Sequence, residues 1–473
     1  MKKVLSFCLL LSAFSSCLFA ALSINTTFEV NQAGDNTNGA CFVTGATGMD
    51  NTYPTPTVTT YTDLVIDAVT NTNVTSAAFP FDANSPGRCL RITGGVGFTL
   101  ALRQIVSVAG NVATLDASAG TLGSTGGQGK SGGALATLAQ LNTNMCAGCT
   151  AWVKADATYT ITSGINFGLG TAGMPQISGY TTTRGDNGKA TVQATATITA
   201  MITLSTVAPL TFRNFILDAN LQASTACLDI SRTLDLAENI ECSGPNRTTG
   251  AIRLAAVDVQ CHYCYVHDGI SSGDGFTFTS GGATCFYCTV ANLTGSAHKG
   301  FNMTAGLCSY CTAYGLTVAG SDAFVLGVTS SLSTIDHCVV YNVTRDAVRV
   351  TSAVIPMSIS NCVFDTVTTG IDNVSGTTLN EGQIYNDYNF TFSGTPVSGL
   401  TAGTHSMTLS ADPFTSPGTG NFTLNNTPGG GAVVRTAGAP SSLPGVTGTS
   451  FPDGGVMQTQ STVTSTGGSV VLP

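Results

Sequence analysis

VDVQCHYCYVHDG (257–269), ATCFYCTVANLTG (283–295), LCSYCTAYGLT (307–317), STIDHCVVYNVT (333–344) and MSISNCVFDTV (357–367) are five versions of one pattern. Aligned on one cysteine, Cys264, Cys288, Cys311, Cys338 and Cys362 follow at intervals of 24, 23, 27 and 24 residues. A second apolar slot runs beside them, Phe276, Phe301, Phe324, Val348 and Ile371, at intervals of 25, 23, 24 and 23. A unit of this size cannot bury its apolar face alone and must stack on its neighbours, which is the signature of a solenoid.

The register extends backwards. Phe215 and Ile240 precede Cys264 in the first slot, and Leu228 and Ile252 precede Phe276 in the second. Three residues before the first slot stand Phe212, Ala237, Cys261, Cys285, Cys308, Ile335 and Ile359. Two after it stand Leu217, Cys242, Val266, Val290, Ala313, Val340 and Phe364. Inward and outward residues alternate with the two-residue period of a strand. Units of about 24 residues are too short for helix pairs and lack a leucine-rich horseshoe pattern, so each reads as three short strands joined by turns.

Only 9% of the 473 residues are charged, and the net charge is −9. The chain has no basic stripe of the kind nucleic-acid binding needs, so no nucleic-acid partner is expected. Lys2 and Lys3, the apolar run Val4–Phe14 and the small residue Ala20 make residues 1–21 read as a secretory signal. The chain is therefore expected to be secreted, extracellular or on a cell surface. Phe14-Ser15-Ser16-Cys17 also resembles a lipoprotein box, which would anchor the chain through Cys17. No later apolar run is long enough to span a membrane.

The organisation expected is a signal (1–21), an N-terminal segment (22–55), a small β module ending in a Gly-rich linker (56–130), the solenoid (131–393) and a C-terminal cap and tail (394–473). Within the linker, Gly129-Lys130-Ser131 lacks the first glycine of a phosphate loop, since position 124 is Ser. Leu135, Leu138, Leu141 and Met145 form one apolar stripe, so Ala134–Met145 is predicted to be a helix that caps the open end of the solenoid.

STIDHCVVYNVTRDAVRV and MSISNCVFDTVTTGI resemble the coils of the right-handed parallel β-helix, or pectin-lyase-like, superfamily. The segments 411–438 and 451–458 are similar to the closing segments that follow such helices. The resemblance covers roughly residues 132–458. It implies an all-β, right-handed parallel β-helix solenoid with an N-terminal capping helix and a small β insertion. It also implies a polysaccharide or cell-surface glycan as partner and, among tailspike-like members, a homotrimer. The superfamily includes lyases, glycosidases, tailspikes and non-catalytic surface proteins, so fold does not set activity. The polygalacturonase set (Asn-Thr-Asp, Asp-Asp, Gly-His-Gly, Arg-Ile-Lys) has no counterpart: the chain has Gly273-Asp274-Gly275, Ala297-His298-Lys299 and no Asp-Asp pair. The pectate-lyase Arg-x-Pro-x-x-Arg pattern is missing as well.

Three groups of residues could carry chemistry. Cys261/Cys264, Cys285/Cys288 and Cys308/Cys311 have CxxC spacing, and a four-cysteine zinc site is one reading. Phe and Ile fill the same slots in other coils, so the cysteines are read as small buried hydrophobes and no metal is assigned. Cys146/Cys149 and Cys227/Cys242 are disulfide candidates.

Two residues before the second slot stand Asp274, Lys299, Asp322 and Asp346, with His298, Arg345 and Arg349 beside them. Read as an outward row, Asp274, Lys299, Asp322, Asp346 and Arg349 are the catalytic candidates, and His298 and Arg345 would contact substrate. A lyase of this kind would use Ca²⁺ held by the acids and a base beside the sugar carboxylate, whereas paired acids would hydrolyse a glycosidic bond. Otherwise no cofactor is expected.

Tyr263, Tyr287, Tyr310 and His337 stand where Asn214, Asn239 and Asn361 mark a tight bend in other coils. They would form a stacked ladder, and the three tyrosines are candidates for contact with sugar rings. The reading adopted is a structural or adhesive module that binds glycan along the solenoid face. A polysaccharide lyase or glycoside hydrolase with a divergent site is the alternative.

Overall fold

A computed structural model of the chain describes residues 26–43 and 58–438, apart from short segments at 147, 169–172, 206–208, 224, 247–249, 271–272, 329–331, 354–355 and 376–383. The signal, Cys17 and the segment 451–458 lie outside the described residues. The described chain is a parallel β-solenoid of about 9 turns, and three rows of parallel strands build it.

The first row includes Leu236–Ser243, Gln260–His262, Thr284–Phe286, Gly306–Ser309, Ser333–Asp336 and Met357–Ser360, each hydrogen-bonded to the next. A one-residue bend follows, and Tyr265–His267, Thr289–Ala291 and Thr312–Leu316 belong to the second row. Phe276–Phe278, Lys299–Met303 and Asp322–Val328 belong to the third. The strand Val339–Ala353 runs through the second and third rows without a break.

The register is the one the repeat spacing predicts. Cys261 pairs with Cys285, Cys285 with Cys308, Cys308 with Ile335 and Ile335 with Ile359. Phe276, Phe301, Phe324, Val348 and Ile371 pair in order. All of these residues are buried. The Phe276, Phe301 and Phe324 rings stack at 5.0 and 4.8 Å between centroids, a contact worth about 0.5–1.5 kcal/mol per pair beyond area burial.

The bend between the first two rows has a local cause. Asn214, Asn239, Tyr263, Tyr287, Tyr310, His337 and Asn361 all have φ between 52° and 63°. Asn tolerates this left-handed conformation, and it turns the chain sharply without using more residues.

The N-terminal strand Thr26–Val30 is itself a rung of the first row. It pairs in parallel with Thr150–Lys154, which pairs in turn with Gln176–Tyr180. The chain leaves the first row after this rung and rejoins it at Thr150. Between them lies a closed antiparallel barrel of six strands, Val58–Ile66, Asn73–Thr75, Cys89–Gly94, Ala101–Ala109, Val112–Leu115 and Gly127–Gly132. Its core includes Leu64, Ile66, Leu90, Ile92 and Ile105, and the disulfide Cys41–Cys89 ties it to the first rung.

Two expectations are corrected here. The stretch expected as a Gly-rich linker ends in a barrel strand, because Gly127–Gly132 pairs with Val58–Ile66 on one side and Cys89–Gly94 on the other. A Cβ on Gly129 would stand 2.9 Å from the Arg91 carbonyl oxygen, so glycine there permits close strand approach. The helix is also shorter than the apolar stripe suggests. It covers Leu138–Asn144, and the Thr137 side chain caps its start by accepting from Gln140 N. Leu135 is extended and bridges Val30. Leu138 and Leu141 face the core at the end of the solenoid.

The C-terminal segment lies on the side of the solenoid. Phe414, Phe422, Leu424 and Val434 pack against Val339, Val363 and Phe390, the outward residues of the second row.

Candidate functional site

The acidic row sits where each coil enters the third strand row. Lys299 pairs with Asp322, and Asp322 lies one coil from Asp346, since Phe324 pairs with Val348. The row therefore forms in the predicted order, but it does not face outward. Asp322 is 0% exposed, Asp346 2%, Asp274 9% and His298 1%.

The reason is the strand period itself. A residue two positions before an inward slot lies on the inward side, so Asp322, two before Phe324, points the same way as Phe324. The outward column is offset by one and runs Asp229, Arg253, Thr277, Asn302, Val325, Arg349 and Asp372. Arg253, Asn302 and Asp372 were not among the candidates, and counting one residue past the second slot would have found them.

Buried carboxylates need partners, and each has one. Both Asp322 oxygens accept from Arg345, Oδ1 from Nε at 2.6 Å and Oδ2 from Nη2. Asp346 Oδ2 accepts from Arg349 Nη1 at 2.9 Å, and Arg349 also reaches Asp372 at 3.8 Å. Asp274 Oδ2 accepts from Asn302 Nδ2 at 2.7 Å. Burial pushes the Asp274 carboxyl above its usual range against the pull of Lys299. Burial does the same to Asp346, against the hydrogen bond from Arg349.

His298 is enclosed. Its Nδ1 lies 2.9 Å from the Gly273 carbonyl oxygen, so the neutral ring donates from Nδ1. Burial lowers its pKa. A ring held in this way faces the protein and not a substrate. Arg345 is more open, with 38% of its side chain exposed.

The aromatic ladder forms as predicted. Tyr263, Tyr287, Tyr310 and His337 stack at 5.1, 5.0 and 4.9 Å between centroids. Tyr263 and Tyr287 are exposed, at 55% and 41%. Their faces are nevertheless covered by each other, so what they present outward is ring edges. Stacking a sugar on a ring needs a free face, and the inner members of the ladder have none.

The cysteine slots are packing positions. Cys261, Cys264, Cys285, Cys288, Cys308, Cys311, Cys338 and Cys362 are free and buried. Cys288 Sγ donates to the Cys261 carbonyl at 3.3 Å and Cys311 Sγ to the Cys285 carbonyl at 3.4 Å, linking successive coils. Burial holds the Cys264, Cys285, Cys308 and Cys338 thiols well above the ordinary range. The pairs Cys146–Cys149 and Cys227–Cys242 are disulfides.

Two surface hollows lie elsewhere. One of about 580 Å³ opens between the helix and the strands Tyr159–Ile161 and Ile165–Phe167. The other, of about 410 Å³, lies on the second row beside the tail and is lined by Tyr265, Thr289, Thr312, Tyr314, Gly420, Asn421 and Phe422. Neither touches the acidic row.

No protein-family model matches the sequence, and no curated protein matches it. Among solved structures, the chain is similar to the pectate lyase Pel9A over 68% of its own length and 91% of that chain, with 12% identity and a TM-score of 0.46. It is similar to the tailspike protein gp49 from Pseudomonas phage LKA1 over 75% of its own length and 67% of that chain, with 11% identity and a TM-score of 0.20. The fold rests on the strand register: three rows of parallel strands closed around one core make this chain a parallel β-helix.

Proposed function

We propose that this chain is an exported, non-catalytic structural or adhesive module that binds glycan along the side of its solenoid. One observation carries the reading. Asp322 and Asp346, the acids best placed for catalysis, are buried and each is held by an arginine, Arg345 or Arg349. A general acid or base must reach the proton it transfers, and a carboxylate enclosed by its own guanidinium does not. These acids instead fix the orientation of the two arginines at the surface. The outward column of the third row, from Asp229 to Asp372, supplies a long, regular face. Export is supported by the N-terminal pattern of residues 1–21 and by the three disulfides among the described residues.

The test is a panel of acidic and neutral polysaccharides incubated with the full chain, with and without Ca²⁺. Binding without new reducing ends or unsaturated products is expected. Product formation that Asp322→Ala or Asp346→Ala abolishes would establish the lyase or hydrolase alternative in its place. Sedimentation of the same preparation tests the homotrimer.

A further inference from the structure

The hollow beside the tail has a chemistry of its own. Its floor follows the register of the second row. Tyr265 pairs with Thr289 and Thr289 with Thr312 in one column, and His267, Ala291 and Tyr314 pair in the next. Tyr265 and Tyr314 lean over the floor from either side, with their phenol oxygens 3.5 Å apart. The C-terminal hairpin closes one end. Phe422 stands 5.3 Å from the Tyr314 ring, and the turn at Gly420 passes so close that a Cβ there would lie 3.3 Å from the Tyr314 hydroxyl.

The hollow combines ring surfaces with hydrogen-bonding groups that the protein does not use. The Thr289 and Thr312 hydroxyls have no partner among the described residues. Asn421 spends only its Oδ1, on Thr423 N at 3.1 Å. No charged residue lines the hollow. Glu241 and Asp268, the acids near Tyr265, are engaged elsewhere: Glu241 pairs with Lys189 at 3.2 Å, and the His267 ring nitrogens lie 3.4 and 2.8 Å from Glu241 and Asp268. Successive rungs are ~4.8 Å apart, close to the length of one pyranose in an extended chain.

From these features we infer that the hollow bounded by Tyr265, Thr289, Thr312, Tyr314, Asn421 and Phe422 is a binding site for a neutral oligosaccharide, running along the solenoid axis and ending at the tail. It rests on the glycan-binding reading above and names the place and the ligand class. Aromatic rings cover the apolar faces of a sugar, and hydroxyl and amide groups meet its hydroxyls. An uncharged wall gives no partner to a uronate carboxylate, whose desolvation would go uncompensated.

The experiment measures binding of neutral hexose oligosaccharides (cellohexaose, mannohexaose) and of an oligogalacturonate by calorimetry. The full chain is compared with Tyr265→Ala, Thr312→Val and Asn421→Ala. The expected result is that a neutral oligosaccharide binds, that Tyr265→Ala weakens it at least tenfold and Thr312→Val several-fold, and that the oligogalacturonate does not bind there. Thr312→Val keeps the shape of the floor, so its effect stands if Tyr265→Ala unfolds. Glycan binding that all three variants leave unchanged, or binding of the acidic oligomer alone, overturns the inference and leaves the glycan-binding reading standing. Absence of any glycan binding overturns both.

Discussion

Asp322, fully buried, is held through both carboxylate oxygens by Arg345 from the following coil. The pair crosses from one coil to the next, so it fixes the third strand row where the chain enters it. Removing one member of a buried pair strands the other charge.

Arg345→Ala is therefore expected to lower stability by about 3 kcal/mol or more, because Asp322 would be left without its cation. Lys130→Ala breaks a pair whose partner, Asp35, is 51% exposed, and should cost less than about 1 kcal/mol. Urea unfolding of both variants checks the contrast. Equal small losses would show that Asp322 reaches solvent.

The tail's attachment is expected to depend on pH. Asp365 is buried under the tail, and burial together with the neighbouring Asp412 raises its pKa from 3.8 to about 6, with the Thr366 hydroxyl opposing. An acid with a raised folded pKa binds its proton more tightly in the folded chain. Its stabilising contribution is complete below the unfolded value near 4 and is lost as pH rises to about 6. Between pH 4 and 7 the parent should lose roughly 1–2 kcal/mol relative to Asp365→Asn, after allowance for solvent screening. Glu29, Asp274 and Asp346 share the sign of this shift, so the comparison with the variant at each pH isolates Asp365.

Much of this fold was legible because a solenoid repeats its packing problem. Cys264, Cys288 and Phe276, Phe301 recur at nearly constant intervals because each coil buries the same position. The same logic placed the Asn/Tyr bend. What the intervals did not carry was anything made once. Thr26–Val30 joins the first row across more than 100 residues, and no repeat in the sequence points to it. The candidate site was misread for a narrower reason. An outward row of Asp322 and Asp346 does not fit their even offset from Phe324 and Val348, which puts them inward. The tail hollow was not legible at all, since it needs the hairpin at Asn421–Leu424 to fold back on Tyr314.

The aromatic ladder sets two terms against each other. Tyr287 has φ 54°, a conformation that costs a non-glycine residue about 1–2 kcal/mol and Asn less. Its stacking on Tyr263 and Tyr310 returns about 0.5–1.5 kcal/mol per pair. Tyr287→Asn should therefore fall within about 1 kcal/mol of the parent, as the Asn239 and Asn361 coils imply. Tyr287→Val loses the stacking and puts a β-branched residue in the left-handed region, and should cost clearly more. Thermal unfolding of the two variants decides it, and equal losses would mean that stacking alone holds the bend.

The cysteine column makes a prediction that separates packing from metal binding. Among the described residues eight thiols are free and buried in the solenoid core. A thiol must reach the reagent to react, and all eight are at most 1% exposed; burial also raises Cys264, Cys285, Cys308 and Cys338, while at Cys311 burial is outweighed by hydrogen bonds from Cys288, Cys308 and Cys338, which lower it. In a chain lacking residues 1–21, a thiol reagent should therefore find none of the eight in the native state and all eight after denaturation without reductant. Added Zn²⁺ should leave the unfolding midpoint unchanged. Ile335 and Ile359 occupy the same column as Cys308, so Cys308→Val should be tolerated within about 1.5 kcal/mol. Cys308→Asp would bury a carboxylate that no nearby cation balances, and should prevent folding. A zinc-dependent rise in stability, or native reactivity at Cys308, would mean that these slots carry chemistry and do not simply fill the core.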